Sequence, residues 1–364
     1  MRLFQNSGVY PAYMHRLHRL AAGATSFEQR LDTFLADRYN ACHTLLPVLQ
    51  KHPDSFFTNG DDEVLQRLWA SENGLPAETT MADILRAQLE HHRAEVFYNM
   101  DPMRYGNEFL RKLPGCVRKR IAWRAAPSAG GDFGAHDLLV CNFPGILDGY
   151  RALGWRAEYF FPGHDPEMDA YAENIDRPVD VLFVGGYSRH HQQRARVLEA
   201  VARLHPRVRV QFHLDRGRLT RLAEAPVVGK LLPLGAHRRP DSIQIVSRTP
   251  IFGRDLYAAI SQAKIVLNGA VDMAGRDRGN MRCFEAMGCG ALLVSDEGLY
   301  PQGLVANRTI LTYASPAEAV ETITRALADP ERLAEVATEG VRTMRQAYSK
   351  SVQWDAFMKL VEST

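Results

Sequence analysis

Lys264-Ile265-Val266-Leu267-Asn268, a polar run from Asp272 to Asn280, then Met281-Arg282-Cys283-Phe284-Glu285-Ala286-Met287, Gly288-Cys289-Gly290 and Ala291-Leu292-Leu293-Val294 follow one another late in the chain. The first and last pieces are short apolar runs bounded by turn residues, which suits buried parallel strands. Between them stand good helix formers, halted by Gly-Cys-Gly. Read as strand, loop, helix and strand, the order places a helix start at the carboxyl end of a parallel sheet, where free N–H groups and the helix dipole attract anions. Glu285 lies in that helix and needs a partner other than phosphate. Ribose hydroxyls suit it, because they donate to a carboxylate and such a bond contributes roughly 1.5–3 kcal/mol. The alternative is a carboxylate that only favours a helix start, worth roughly 0.3–1 kcal/mol.

Taken together, Asn280-Met281-Arg282-Cys283-Phe284-Glu285-Ala286-Met287-Gly288-Cys289-Gly290-Ala291-Leu292-Leu293 resembles the donor-site segment of GT-B glycosyltransferases. The likeness is closest to the glycosyl-transferases-group-1 branch that includes spore-maturation-protein-like enzymes. It implies an α/β fold of two Rossmann-like domains facing across a cleft, with a C-terminal helix crossing back to the first. It also implies transfer of a sugar from a nucleoside-diphosphate sugar, with UDP favoured, to a hydroxyl acceptor. In relatives, two acidic residues with seven between them handle the donor; here these are Asp277 and Glu285, the second on the ribose. Asp277 is one methylene shorter than the usual glutamate. Asn280, Met281 and Arg282 would line the donor. Arg248 to Tyr257 resembles the base-binding loop and its helix, with backbone groups of Pro250, Ile251 and Phe252 around the nucleobase.

The expected domains are 1–165, acceptor-side and Rossmann-like with helical insertions; 176–349, which binds the nucleotide sugar; and 350–364, a terminal helix on the first domain. Composition fits a globular chain, with 44 basic residues against 42 acidic ones and a formal net charge of +2. That balance argues against a general nucleic-acid binder. The five cysteines form no C-x-x-C arrangement. An odd count with no secretory leader points to reduced thiols in the cytoplasm. No apolar run reaches membrane-spanning length, so no transmembrane segment is expected, and peripheral membrane association stays open.

At the amino terminus, Leu3-Phe4 reads as a strand turning at Asn6-Ser7-Gly8, and the resemblance makes these three candidate acceptor or cleft contacts. Residues 26–93 read mainly as helices, the first opened by a capping box at Ser26-Phe27-Glu28-Gln29. Val96-Phe97-Tyr98-Asn99-Met100 is a strand running into Asp101-Pro102. Asp101 therefore faces the crest where open α/β sheets bind ligands and is a candidate general base, or equally a strand-ending residue before proline. Further strands are expected at 119–123, 137–141, 157–161, 180–184, 208–212 and 309–311, with a linker over 162–178. Gly185-Gly186-Tyr187-Ser188-Arg189 follows one of them. Gly185 and Gly186 allow close backbone approach of a phosphate there, Ser188 is a further candidate donor contact, and Arg189 would neutralise a diphosphate or else be a solvated arginine.

No D-x-D sequence occurs, so no metal is expected on the diphosphate and no cofactor beyond the nucleotide sugar as co-substrate. Arg189, Arg282 and helix amides would instead stabilise the departing diphosphate. The acidic pair Asp277 and Glu285 resembles retaining relatives, whereas a working Asp101 base favours inversion. The acceptor is open: a glycan, a protein or a modified nucleic acid. Two alternatives stand beside transfer. One is a nucleotide-sugar epimerase of the same fold; the other is a nucleic-acid-directed glycosyltransferase or binding module, motivated by the arginines between Arg216 and Arg239.

Overall fold

Two all-parallel, six-stranded sheets make up the computed structural model, which describes residues 1–187, 192–225, 234–269 and 274–364. The first contains β1 (Leu3–Ser7), β2 (Ser55–Asn59), β3 (Val96–Asn99), β4 (Lys119–Trp123), β5 (Leu138–Cys141) and β6 (Ala157–Tyr159), in the order β2-β1-β3-β4-β5-β6. The second contains β7 (Val179–Gly186), β8 (Val210–Asp215), β9 (Ser247–Arg248), β10 (Ala263–Leu267), β11 (Leu292–Asp296) and β12 (Leu311–Tyr313), in the order β12-β11-β10-β7-β8-β9. β10 is apolar but for Lys264, and β11 opens with three apolar residues, because helices cover both faces of a parallel sheet. Each sheet is the core of one compact unit. One unit holds Met1–Gly163, a short segment ending at Asp277, and Tyr348–Thr364; the other holds the chain from His164 into the loop after β10, and Arg278–Ala347.

Two local readings of the sequence need correction. Ser55-Phe56-Phe57-Thr58-Asn59, inside the stretch read as helical, is strand β2 and pairs in register with β1. Asn6 and Ser7 do not turn; they finish β1 between β2 and β3. The reason is the same in both places. Neighbouring strands satisfy the backbone, so polar side chains can stay in extended chain if their own groups find partners. Asn6 does so by donating from Nδ2 to Asn99 Oδ1 (3.1 Å) and accepting the Gly60 N–H at Oδ1 (2.9 Å). The expected linker also contains a helix, Met168–Ala172, grouped with the second unit. Among the described residues no helix is long and apolar enough to cross a membrane.

The terminal helix, Lys350–Ser363, crosses back to the first unit, where Phe357 and Val361 join Leu3, Val96, Tyr98, Ile121 and Phe160 in one apolar cluster. Its first residue is a buried lysine. The Lys350 ammonium donates to the carbonyls of Ala41 (2.7 Å), Cys42 (3.0 Å) and Thr44 (2.8 Å) and to Gln353 Oε1 (2.9 Å). Burial, and then this neighbouring charge, pull His43 down to about 3, so its ring stays neutral. Replacing the ammonium strands three buried carbonyls, which should cost about 2–4 kcal/mol. All four tryptophans (Trp69, Trp123, Trp155 and Trp354) lie in this unit, so their fluorescence reports its unfolding. Lys350→Met is expected to lower the urea midpoint of that signal markedly; an unchanged midpoint would show that the clamp contributes nothing.

Candidate functional site

In the second unit the site begins where β10 ends. Asn268 is held on both sides of its amide: Nδ2 donates to Asn280 Oδ1 (3.0 Å) and Ser295 Oγ (3.1 Å), while Oδ1 accepts from Asn280 Nδ2 (3.2 Å). Its carbonyl accepts from the Tyr313 hydroxyl (2.6 Å). Asn280 stands at the N-cap position of the helix Met281–Gly288, yet its side chain makes no cap bond. Because the amide is committed to Asn268, the first-turn N–H groups receive no side-chain acceptor, and these are the groups that bind anions. Cys283 is wedged beside this pair; burial pushes its thiol up to about 12, so it acts as a weak donor to Asn280 rather than a nucleophile.

One turn further, Glu285 is 3% exposed and accepts from Arg282 Nη1 at 2.6 Å. Sequence reasoning gave these residues separate partners, ribose and diphosphate; in the structure they hold each other, as i and i+3 positions on a helix can. Burial pushes the Glu285 carboxyl above its ordinary range, and the Arg282 charge only partly opposes this. Arg282 Nε is buried and has no hydrogen-bond partner. His213, at the end of β8, was not singled out in the sequence. It donates from Nδ1 to the Thr249 carbonyl (2.6 Å), since a carbonyl can only accept, and so fixes the loop that carries Pro250, Ile251 and Phe252. Phe252 precedes the helix Gly253–Ser261.

At the end of β7, a Cβ on Gly186 would meet nothing within 4 Å among the described residues beyond its chain neighbours. Ser188 and Arg189 lie outside the described residues. Arg194, which the sequence reading passed over, donates from Nη2 to the Gly269 carbonyl (3.2 Å) just beyond β10. Asp277, the other member of the acidic pair, is grouped with the first unit and accepts the Gly145 N–H at 2.6 Å, on the first turn of the helix Pro144–Ala152.

On the first unit, the ends of β1, β2 and β3 carry buried polar residues. Ser7 Oγ accepts from Asn40 Nδ2 (3.3 Å), and Asn99 Oδ1 accepts the Asp101 N–H (3.0 Å). Gly8 packs against Asp101, whose Oδ2 would stand 3.6 Å from a Cβ at that glycine. Asp101 pairs with Arg104 at 3.3 Å. Across the loop from it lies Asp61, which accepts the Val9 N–H at 2.8 Å. Burial, reinforced by the Asp101 charge, pushes the Asp61 carboxyl up to about 6.

Residues 189–359 match the Glycosyl transferase-like family. Among solved structures the chain is similar to Anabaena HepE in complex with UDP and glucose, at 12% identity over 100% of both chains and a TM-score of 0.60. It is also similar to sucrose-phosphate synthase from Thermosynechococcus elongatus, at 13% identity over 100% of this chain and 99% of that one, TM-score 0.54. A glycosyltransferase from Rickettsia africae gives 7% identity over 99% and 97%, TM-score 0.54. At these identities the likeness is one of fold. No curated protein matches the sequence.

The Asp61 shift predicts how stability follows pH. Its folded pKa, about 6, lies above the ordinary 3.8, so the stability tied to its protonated form is full below about pH 4 and is lost as pH rises through 6. Asp61→Asn keeps a neutral group of the same shape. It should therefore melt close to the native chain at pH 4.5 and increasingly above it towards pH 7.5; a constant gap across that range would contradict the shift.

Proposed function

We propose that the chain, which has the GT-B fold and whose residues 189–359 match the Glycosyl transferase-like family, is a glycosyltransferase that moves a sugar from a UDP-sugar to a hydroxyl acceptor without a metal ion. The observation that carries this reading is the helix Met281–Gly288, whose start lacks a side-chain cap and whose first turns carry the Arg282–Glu285 pair. Uncapped N–H groups and an arginine suit a diphosphate, and a carboxylate suits a ribose diol. The HepE structures, in complex with UDP and with UDP-glucose, support the choice of UDP over other nucleotides. Metal independence rests on the lack of a D-x-D sequence.

In this reading the helix amides, Arg282 and Arg189 stabilise the charge that develops on the departing diphosphate, and such preorganised donors are worth most in the transition state. Asn280 and Met281 flank them. Pro250, Ile251 and Phe252 hold the uracil, with His213 bracing their loop. Gly186 and Ser188 admit the phosphates, and Asp277 remains the candidate contact for the donor sugar. The acceptor is a glycan, a protein or another hydroxyl compound, met by the first unit at Asn6, Ser7, Gly8 and Asp101. The setting is cytoplasmic, in keeping with an odd number of cysteines in no C-x-x-C arrangement.

Glu285→Gln keeps the shape and removes the charge; Glu285→Ala removes the group. Both are expected to lower kcat/KM for UDP-glucose, the alanine variant by roughly tenfold to a hundredfold or more. UDP affinity measured by calorimetry should fall in parallel. Undiminished UDP affinity in both variants would overturn the assignment of Glu285 to the donor.

A further inference from the structure

The arginines between Arg216 and Arg239 belong to none of the donor contacts described above. That stretch carries six lysines and arginines against a single carboxylate, Glu224, and has no phenylalanine, tyrosine or tryptophan. It opens with the helix Arg218–Glu224. Arg239 holds this helix to the body of the second unit: its Nε and Nη2 donate to Glu224 Oε1 (2.6 Å) and Oε2 (2.8 Å), and its carbonyl accepts from Gln244 Nε2 (2.7 Å). Gln244 lies on the helix Asp241–Val246, whose Ile243 and Val246 join the apolar core of the unit. The side chains of Arg239 and Glu224 are both buried, at 5% and 7% exposure. The one negative charge of the stretch is therefore taken up inside, and Arg216, 3.8 Å away, stands beside a carboxylate already paired.

The other side of the helix faces out. Ala223 is buried and Thr220 half-buried, whereas Arg218, Leu219, Arg221 and Leu222 are all exposed. At 3.6 residues per turn these four share one side, the leucines three apart and the arginines three apart next to them. Leu219 is 47% exposed and Leu222 36%. Among the described residues neither Arg218 nor Arg221 pairs with a carboxylate. A single exposed leucine is ordinary. Two on one helical side, set among unpaired cations, suit a lipid–water interface, where leucines enter the acyl boundary and arginines reach anionic headgroups along their own apolar stems.

Other occupants use this face less fully. A nucleic acid has a use for the arginines but not for the leucines, and single strands are held largely by aromatic stacking, which the stretch does not offer. A second copy meeting the face with its own would set arginines against arginines. An anionic bilayer uses both residue types. We propose that the outer side of the helix Arg218–Glu224, with Arg216 before it, docks on an anionic lipid surface. The attachment is peripheral and reversible, and it needs no nucleotide.

The test is co-sedimentation of the full chain with phosphatidylcholine vesicles, plain or with about one-third phosphatidylserine. Native protein is expected to sediment with the anionic vesicles only, and to be released at about 1 M salt, where the screening length is about 3 Å. Arg218→Gln combined with Arg221→Gln should weaken vesicle binding roughly tenfold or more. Leu219→Ser combined with Leu222→Ser should weaken it by a similar factor, which attraction of free phosphate to the arginines does not explain. Native melting temperatures in both double variants separate lost binding from lost fold. No binding to anionic vesicles overturns the proposal, as does native-strength binding by either double variant. So does a dimer that the leucine variant dissolves, which gives the face to a second copy. Tighter binding to a single-stranded oligonucleotide than to vesicles, lost in the arginine variant alone, overturns it in favour of nucleic acid.

Discussion

A carboxylate held 3% exposed by an arginine one turn away, Glu285 with Arg282, is the constraint around which the second unit's site is arranged. An unpaired carboxylate in that position would be costly, and pairing is what permits the charge to stay. Pairing alone rarely repays the desolvation of two ions, so a buried pair of this kind is poor evidence for stability. In the proposed reading, a ligand that uses both charges accounts for the pair. The Asn268–Asn280 amide pair contributes by occupying the residue that would otherwise cap the helix, and Tyr313 locks Asn268 from below.

Both sheets put their polar content where parallel strands end. In the second unit this gathers Asn268, Ser295 and Asp296 beside the helix Met281–Gly288; in the first it gathers Gln5, Asn6, Ser7, Asn59 and Asn99, all buried. Crests of open α/β sheets bind ligands because strand ends and helix starts present unpaired backbone groups there. In the first unit most of the side chains are tied to one another, which makes it a rigid frame rather than a set of contacts. The few unpaired atoms in that frame are therefore more informative than the many paired ones.

How legible this was depended on how local the cause was. β10, the helix Met281–Gly288 and β11 could be read directly, because strands buried on both faces appear as continuous apolar runs and the glycines mark the helix end. β2 could not. Ser55-Phe56-Phe57-Thr58-Asn59 is short and half polar, and only its pairing with β1, some fifty residues away, makes it a strand. Asn6 and Ser7 looked like a turn for the same reason. The Arg282–Glu285 contact was available from i, i+3 spacing, but chemistry assigned each residue to a ligand before their contact with one another was considered. Asp277 meets Gly145 across 132 positions, and Asp61 has its carboxyl raised by burial and by the Asp101 charge, against the Val9 N–H; no pattern along the chain announces either.

The claim everything else rests on is that Glu285 meets the ribose hydroxyls of a nucleoside diphosphate. The most direct measurement is the affinity of the native chain for UDP beside that for 2′,3′-dideoxy-UDP, which differs only in those hydroxyls. If the claim holds, losing the charged hydrogen bonds weakens binding by roughly tenfold or more. Equal affinities for the two would contradict it.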